Sequence, residues 1–170
     1  KSAKRRAIWL GVNLATAFLA ASVVDIFQTT LDKIVLLAVL MPIVPSMGGV
    51  AGTQSLTIMT RAIALGHLDK TNTKGIFRKE VLVGVLNGIL WAMVVGSLTY
   101  LWFSEWLLGL VIAGAMTINL IMAALAGFGI PLMLKRLNID PALAGGVILT
   151  TITDVVGYIS FLGLGAIFLL

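Results

Sequence analysis

Residues 81–104, VLVGVLNGILWAMVVGSLTYLWFS, decide the fold class, because these 24 consecutive residues include no Asp, Glu, Lys or Arg. A helix needs about 20 predominantly apolar residues to cross the hydrocarbon core of a bilayer. Backbone groups in lipid have no water to bond, so only helices and closed barrels can span it. A run of this length and composition predicts a transmembrane helix.

Four further uncharged runs accompany this one, at 7–24, 34–60, 106–134 and 141–170, and only Asp154 interrupts the last. Barrel strands would alternate apolar and polar residues, but the segment IVLLAVL at 34–40 does not alternate. Charged residues make up 11% of the chain, against about 25% in soluble domains, which excludes a soluble enzyme. We therefore predict an all-α integral membrane protein with five transmembrane helices, and residues 1–170 as one transmembrane domain.

The distribution of positive charge predicts the orientation of these helices. Of the 12 Lys and Arg residues, four precede the first predicted helix, five lie between the second and third, and two lie between the fourth and fifth. Only Lys33 lies at the other end of the predicted helices. Since Lys and Arg concentrate on the cytoplasmic side, we expect the N-terminus inside, the C-terminus outside and a multi-pass protein of the cytoplasmic membrane. Residues 61–80 form the only substantial polar loop in this interpretation, and no nucleic-acid partner is expected.

Asp154 is the most informative residue, because it lies near the middle of the last predicted helix. A carboxylate at the bilayer midplane costs roughly 2.5–3.5 kcal/mol on insertion scales, and intramembrane acids usually have a function. No Lys or Arg lies in the middle of any predicted span, so an ion pair within the membrane is not available. Asp154 is therefore either a cation or proton site, or a structural residue bonded to neighbouring Thr or Tyr side chains.

The neighbours of Asp154 fit a cation site. Thr150 and Gly146 precede it by four and eight residues and so lie near the same helix face. The Gly145-Gly146 pair after Pro141 can loosen the helix and free backbone carbonyls as ligands for a hard cation. Thr151 and Thr153 are more consistent with hydroxyls bonded to their own helix backbone.

A second unusual segment is MPIVPSMGGVAGTQS at 41–55, which has two prolines and three glycines inside the second predicted span. Proline kinks a helix, and glycine allows close backbone approach. Broken helices at membrane depth occur where they are buried in protein or line a cavity. The segment is therefore either a tight helix crossing or part of a pore.

This segment also carries a family resemblance. GGVAGTQS at 48–55, followed by RAIALG at 61–66, resembles the second helix of the MgtE-type magnesium channels, and DPA at 140–142 and TTITDVVGY at 150–158 resemble the same family. The resemblance extends over essentially the whole chain. The family usually has Asn after the Gly-Gly pair, where this chain has Val50, so a side-chain ligand is not implied there.

The resemblance implies a homodimeric, Mg²⁺-selective channel with its pore between the two subunits. Asp154 of each subunit would contact hydrated Mg²⁺ through its carboxylate. Gly49, Gly52, Gly146 and Thr150 would contribute mainly backbone carbonyls, largely through water. Full-length members carry a cytoplasmic N-terminal domain and a CBS-domain pair that regulate the pore, and we expect Lys1–Arg6 to continue from that region.

Several alternatives stay open at this stage. Asp154 could instead serve a proton- or sodium-coupled divalent-cation carrier, whereas no catalytic cluster indicates an enzyme. Asp140 is a helix N-cap or a secondary metal contact, and His67 is expected to be a solvated loop residue. Other polar residues in the spans fit helix–helix hydrogen bonds better than pore lining, and Gly84 and Gly88 predict a packing face. These other polar residues are Asn13, Gln54, Asn87 and Asn119.

Overall fold

The computed structural model describes residues 2–67 and 72–170, and these residues form helices joined by short connections. The helices are α1 Ser2–Ile26, α2 Gln28–Lys33, α3 Val35–Leu40, α4 Ile43–Ala64, α5 Thr73–Phe103, α6 Trp106–Arg136 and α7 Pro141–Phe168. No strand occurs within these residues. The chain is therefore all-helical, as its composition predicts.

Five segments are long and apolar enough to cross a membrane, which confirms the predicted number of spans. They are Arg6–Ile26, Val35–Ala64, Thr73–Phe103, Trp106–Arg136 and Pro141–Phe168. The second span consists of α3 and α4 together. The short α2 lies between the first two spans and was not predicted.

The polar loop predicted at 61–80 is shorter in the structure, so the predicted bounds are wrong. Helix α4 continues to Ala64, and α5 begins at Thr73, eight residues before the uncharged run starts. Lys74, Arg78 and Lys79 therefore lie on a helix. Residues 68–71, with Asp69, Lys70 and Thr71, lie outside the described residues. Charges fail to mark the helix boundary here because long basic side chains can extend from a helix end to the membrane interface.

The break in the second span falls at Met41 and Pro42, between α3 and α4. The helix is therefore interrupted on the proline side of the motif, and the choice between a tight crossing and a pore segment stays open. The glycines at 48, 49 and 52 all lie inside the continuous helix α4. They consequently shape a packing surface, whereas no irregular backbone is formed at those positions.

Helices α5 and α6 form a tight antiparallel hairpin. Ser104 ends α5 in the left-handed conformation, with φ of 58°, and its N–H donates to the Tyr100 carbonyl at 2.8 Å. Small residues then allow the two backbones to approach. Added Cβ atoms would lie 2.6 Å from Ala124 Cβ at Gly84 and 3.0 Å from the Gly109 carbonyl at Gly96. The predicted packing face is thus confirmed at Gly84, and at Gly88 a Cβ would lie 3.5 Å from Thr117 Cα, an ordinary packing contact.

Helix α6 runs through the centre of the bundle. It packs against α4, α5 and α7. In its most apolar stretch, 56% of the residues are buried inside the protein, whereas the corresponding share in the other spans is 33% or less. Helix α7 also packs against α1 and α4. Since lipid provides little hydrophobic driving force between helices, these contacts depend on close packing of small residues. One helix is therefore far more enclosed than the rest, although all five spans are similarly apolar.

Most basic residues gather at one end of this bundle, which we call the basic end. It is formed where α4 and α6 end and where α5 and α7 begin. Its described Lys and Arg residues include Arg61, Lys74, Arg78, Lys79, Lys135 and Arg136.

Candidate functional site: a polar face on α4 and α7

Asp154 lies on a row of small and polar residues along α7. Gly146 is exposed, and Thr150 and Asp154 are half-buried. A spacing of four residues places all three near one side of the helix. The structure therefore brings together three of the residues predicted for the site. The protein's own helices leave this side partly uncovered.

The hydroxyl groups nearest to Asp154 in the sequence are bonded to the backbone of α7. Thr150 donates its hydroxyl proton to the carbonyls of Gly146 (3.0 Å) and Val147 (3.1 Å), as a shared bond. Thr151 donates to Val147 at 2.7 Å, and Thr153 donates to Thr150 at 3.1 Å. These bonds confirm the backbone role predicted for Thr151 and Thr153. Among the described residues, no hydrogen bond or ion pair to Asp154 occurs.

Helix α7 is not loosened at Gly145 and Gly146, contrary to expectation. It is continuous from Pro141 to Phe168. Gly145 is buried, and a Cβ there would lie 3.0 Å from Leu56 Cδ1, whereas Gly146 has no such neighbour within 4 Å. Gly145 therefore allows α7 to pack against α4. Gly146 has no side chain on the exposed side of α7. The Gly146 carbonyl as a ligand stays a prediction, and Thr150 competes for that oxygen.

A matching row lies on α4. Ser46, Val50, Thr53 and Thr57 are exposed, and their spacing places them on one side of the helix. This side borders α7, because a Cβ at Gly49 would lie 3.8 Å from the Thr153 hydroxyl oxygen. We call the two rows together the polar face: Ser46, Val50, Thr53 and Thr57 of α4 with Gly146, Thr150 and Asp154 of α7.

The two predicted α4 ligands occupy different positions. Gly49 borders the polar face, and its carbonyl accepts the Thr53 hydroxyl proton at 2.7 Å. Gly52 is buried, and a Cβ there would lie 2.7 Å from Leu149 Cδ1. Its carbonyl lies 2.7 Å from the Cβ position of Gly127 on α6. The structure therefore places Gly49 beside the polar face and places Gly52 inside the helix packing.

Val50 stands on the polar face with 58% of its surface exposed. It contributes only methyl groups between the hydroxyls of α4. Any interaction with a cation from this part of α4 must therefore come from neighbouring oxygens.

Asn119 of α6 ties the helices together behind the polar face. It is fully buried, and its Nδ2 donates to the Val44 carbonyl at 2.8 Å. Added Cβ atoms at Gly48 of α4 or Gly157 of α7 would contact this side chain. Asn119 therefore fills a space that two glycines leave, which confirms a structural role.

We expect Asn119→Ala to destabilise the protein by about 1–3 kcal/mol, because the hydrogen bond to the Val44 carbonyl is lost and the truncated side chain leaves a cavity between the helices. Reversible unfolding in detergent measures the change. Asn13→Ala is the matched control, since Asn13 is exposed on α1. Equal stability of the two variants would contradict a structural role for Asn119.

The remaining predicted polar residues have other surroundings than Asp154. Asp140 caps α7 by accepting the Ala142 N–H at 2.9 Å, which confirms the N-cap, and its metal contact stays a prediction. His67 is exposed beyond α4, as expected for a solvated residue. Gln54 and Asn87 line a cavity between helices. This location differs from both interpretations of the sequence, a pore lining and a helix–helix hydrogen bond.

One buried acid escaped prediction. Glu80 is buried at the start of α5, with 7% of its surface exposed, and accepts the Ser55 hydroxyl proton at 2.7 Å. It precedes the uncharged run by one residue and follows Lys79, so the sequence presents it as part of a charged loop. The signal that could have found it is Gly84 four residues later, which places Glu80 on the packed side of the helix.

The polar face offers oxygen atoms as acceptors. Thr53 and Thr150 donate their hydroxyl protons to backbone carbonyls, so their oxygens present lone pairs to the outside. Together with the Asp154 carboxylate they suit a hard cation. Within the described ranges, no three His, Asp or Glu side chains gather as a cage for a metal ion. The face therefore fits a cation that keeps much of its water.

A family model matches most of the chain. The MgtE model, which describes a divalent cation transporter, matches residues 41–164. The chain belongs to the MgtE family. The match includes the whole of α4, α5 and α6, both rows of the polar face, and Asn119. With five segments able to span a membrane, this MgtE chain is a multi-pass protein of the cell membrane.

Curated MgtE relatives agree with the family model. Each of the following is named magnesium transporter MgtE. The Bacillus subtilis protein is 29% identical over 168 residues, 99% of this chain and 37% of its own length. The Thermus thermophilus protein is 30% identical over 164 residues, 96% of this chain and 36% of its own length. The Enterococcus faecalis protein is 29% identical over 169 residues, 99% of this chain and 37% of its own length. This MgtE chain thus spans a little over a third of the length of these relatives.

Proposed function

We propose that this chain forms a homodimeric channel that conducts hydrated Mg²⁺ across the cell membrane. Asp154 of each protomer faces the pore, which lies on the shared two-fold axis. The observation that carries this proposal is the half-buried Asp154 carboxylate, without a protein donor among the described residues, on a face that the described helices leave uncovered. The relatives' printed names supply the ion.

The cost of an exposed carboxylate supports the dimer. A charged group at membrane depth is expensive in lipid and therefore faces a bundle interior or a water-filled cavity. The polar face is on the surface of one protomer, so a second copy must cover it if Asp154 is to leave the lipid. A two-fold dimer is the simplest symmetric arrangement, because the same face serves both subunits. It places two carboxylates beside one path.

The choice of oxygens supports Mg²⁺ as the transported ion. Mg²⁺ prefers oxygen ligands and dehydrates reluctantly, so it usually keeps several waters. The polar face supplies one carboxylate per protomer with the Thr53 and Thr150 hydroxyl oxygens. Such a sparse set cannot replace a full hydration shell, but it can bind water molecules around a dication. Softer metals would prefer His or Cys, and the chain has no Cys and only one His, in a loop.

The remainder of the full-length protein has a regulatory role in this proposal. We place the basic end in the cytoplasm, because Lys and Arg favour that side. Cytoplasmic domains of the same chain, an N-terminal domain and a CBS-domain pair, would then act on the pore through the segment that leads into α1.

Flux measurements on the full-length protein in liposomes distinguish a channel from a coupled carrier. We expect Mg²⁺ entry to follow the Mg²⁺ gradient, with no accompanying movement of protons or Na⁺. Internal fluorescent indicators for Mg²⁺ and pH record both, and imposed proton or Na⁺ gradients provide the control. Uphill Mg²⁺ movement driven by either gradient would establish the carrier and contradict the channel.

A further inference from the structure

A cavity with several polar side chains in a largely apolar wall lies between α4, α5 and α6 toward the basic end. Its volume is about 230 Å³, which is room for roughly seven water molecules at about 30 Å³ each. The polar side chains that line it are Gln54, Ser55, Lys79, Glu80 and Asn87. Apolar residues of all three helices complete the wall. The polar side chains of the cavity thus all come from α4 and α5, and α6 contributes only apolar residues.

Glu80 is the only acid among the described residues that line this cavity. Its carboxylate is nearly buried, and its partner is the Ser55 hydroxyl, which donates at 2.7 Å. Within the part of the chain that the structure describes, no Lys or Arg pairs with it. Burial of a charge is costly unless a cation or hydrogen bonds compensate it, and one neutral hydroxyl compensates only in part. A positive partner would therefore stabilise this carboxylate.

The shape of the cavity favours a hydrated metal cation over a bare proton. A proton would need only the carboxylate oxygen and no additional volume. Here the carboxylate opens onto water-sized space, with amide oxygens available from Gln54 and Asn87 beside it. Carboxylate, hydroxyl, amide oxygen and water are the ligands that hard divalent cations take.

We propose that this cavity is a second binding site for a hydrated divalent cation, contained within a single protomer and centred on Glu80. Ser55, Gln54 and Asn87 contribute oxygens, mainly through water. Lys79 lies at the rim, where its positive charge opposes entry and limits the affinity.

This site is separate from the polar face. Ser55 follows Gly49 by six residues, which is about 9 Å along a helix, in the direction of the basic end. It also lies on the side of α4 that contacts α5 and α6, whereas Thr53 and Val50 lie on the side that borders α7. Cation binding at Glu80 therefore needs neither Asp154 nor a second protomer.

Protection of an introduced thiol tests the site directly. Val83 lines the cavity and Leu82 does not, although both are exposed on α5. In the full-length protein carrying Asp154→Asn, we measure the labelling rate of Val83→Cys by a cationic thiol reagent as Mg²⁺ is added. At about ten times the Kd, mass action leaves about a tenth of the sites empty. Labelling of Val83→Cys should then slow about tenfold, whereas labelling of Leu82→Cys should stay constant.

Two further variants keep the outcome decisive. Adding Glu80→Gln should abolish the protection at Val83→Cys. Lys79→Gln, an exposed change that leaves Glu80 intact, should lower the protecting Mg²⁺ concentration about threefold, in keeping with the strength of exposed charge interactions. Any one of three results would overturn the proposal. They are no protection in the protein that retains Glu80, equal protection in Glu80→Gln, and an unchanged half-protecting Mg²⁺ concentration in Lys79→Gln. Because Asp154→Asn is present throughout, none of these results depends on whether the pore proposal holds.

Discussion

The Asp154→Asn variant should assemble normally and lose more than nine-tenths of Mg²⁺ uptake. Asn keeps the shape of the side chain and removes its charge. A carboxylate and a dication about 5 Å apart attract each other by roughly 1.7 kcal/mol even at the dielectric constant of water. This energy corresponds to more than a tenfold change in binding, and two carboxylates facing one pore would contribute more than a hundredfold. Asp154→Ala should abolish uptake.

Liposome flux with a Mg²⁺ indicator measures this effect, and chemical cross-linking in the same membranes measures assembly. Glu105→Gln is the matched control, because Glu105 is an exposed acid in the turn between α5 and α6. Unchanged uptake by Asp154→Asn would refute a pore role for this carboxylate. Loss of cross-linking together with uptake would show that Asp154 serves assembly, which also contradicts the proposal.

The second large effect concerns the packing behind the polar face. We expect Gly157→Ala to destabilise the protein by about 1–3 kcal/mol, the usual cost of overpacking a close contact. The added methyl would lie 2.9 Å from Cγ and 3.0 Å from the backbone nitrogen of Pro45. Neither a proline ring nor a backbone can rotate away, so α7 must move from α4. Because Asp154 lies less than one turn before Gly157, transport should fall as well.

Gly163→Ala provides the control on the same helix. The nearest atom to a Cβ there is Phe27 Cζ at 4.0 Å, so the methyl fits, and replacing glycine should even favour the helix. Thermal unfolding in detergent and liposome flux measure both variants. If Gly157→Ala were as stable and as active as Gly163→Ala, the close approach of α4 and α7 would not be needed.

Three regions of the chain differed in how well they could be predicted. Asp154, Thr150 and Gly146 were predictable as one row, because their spacing of four residues fixes a helix face irrespective of the other helices. The expected loosening at Gly145 was wrong, since Gly145 fits against Leu56 of α4, a contact between residues far apart in the chain. Glu80 was hidden for the same reason: the hydroxyl that it binds belongs to Ser55, 25 residues earlier.

The sequence by itself determined the membrane class, the number of spans and the row of residues around Asp154, because uncharged runs and helical spacing are local properties of the chain. Only the tertiary structure decided which glycines pack and which face outward, that Asn119 fills the space between Gly48 and Gly157, and that Glu80 lies in a cavity. These features depend on which helices are neighbours. In a chain whose spans are all similarly apolar, hydrophobicity does not specify neighbours, and the fit of small residues across helix crossings does.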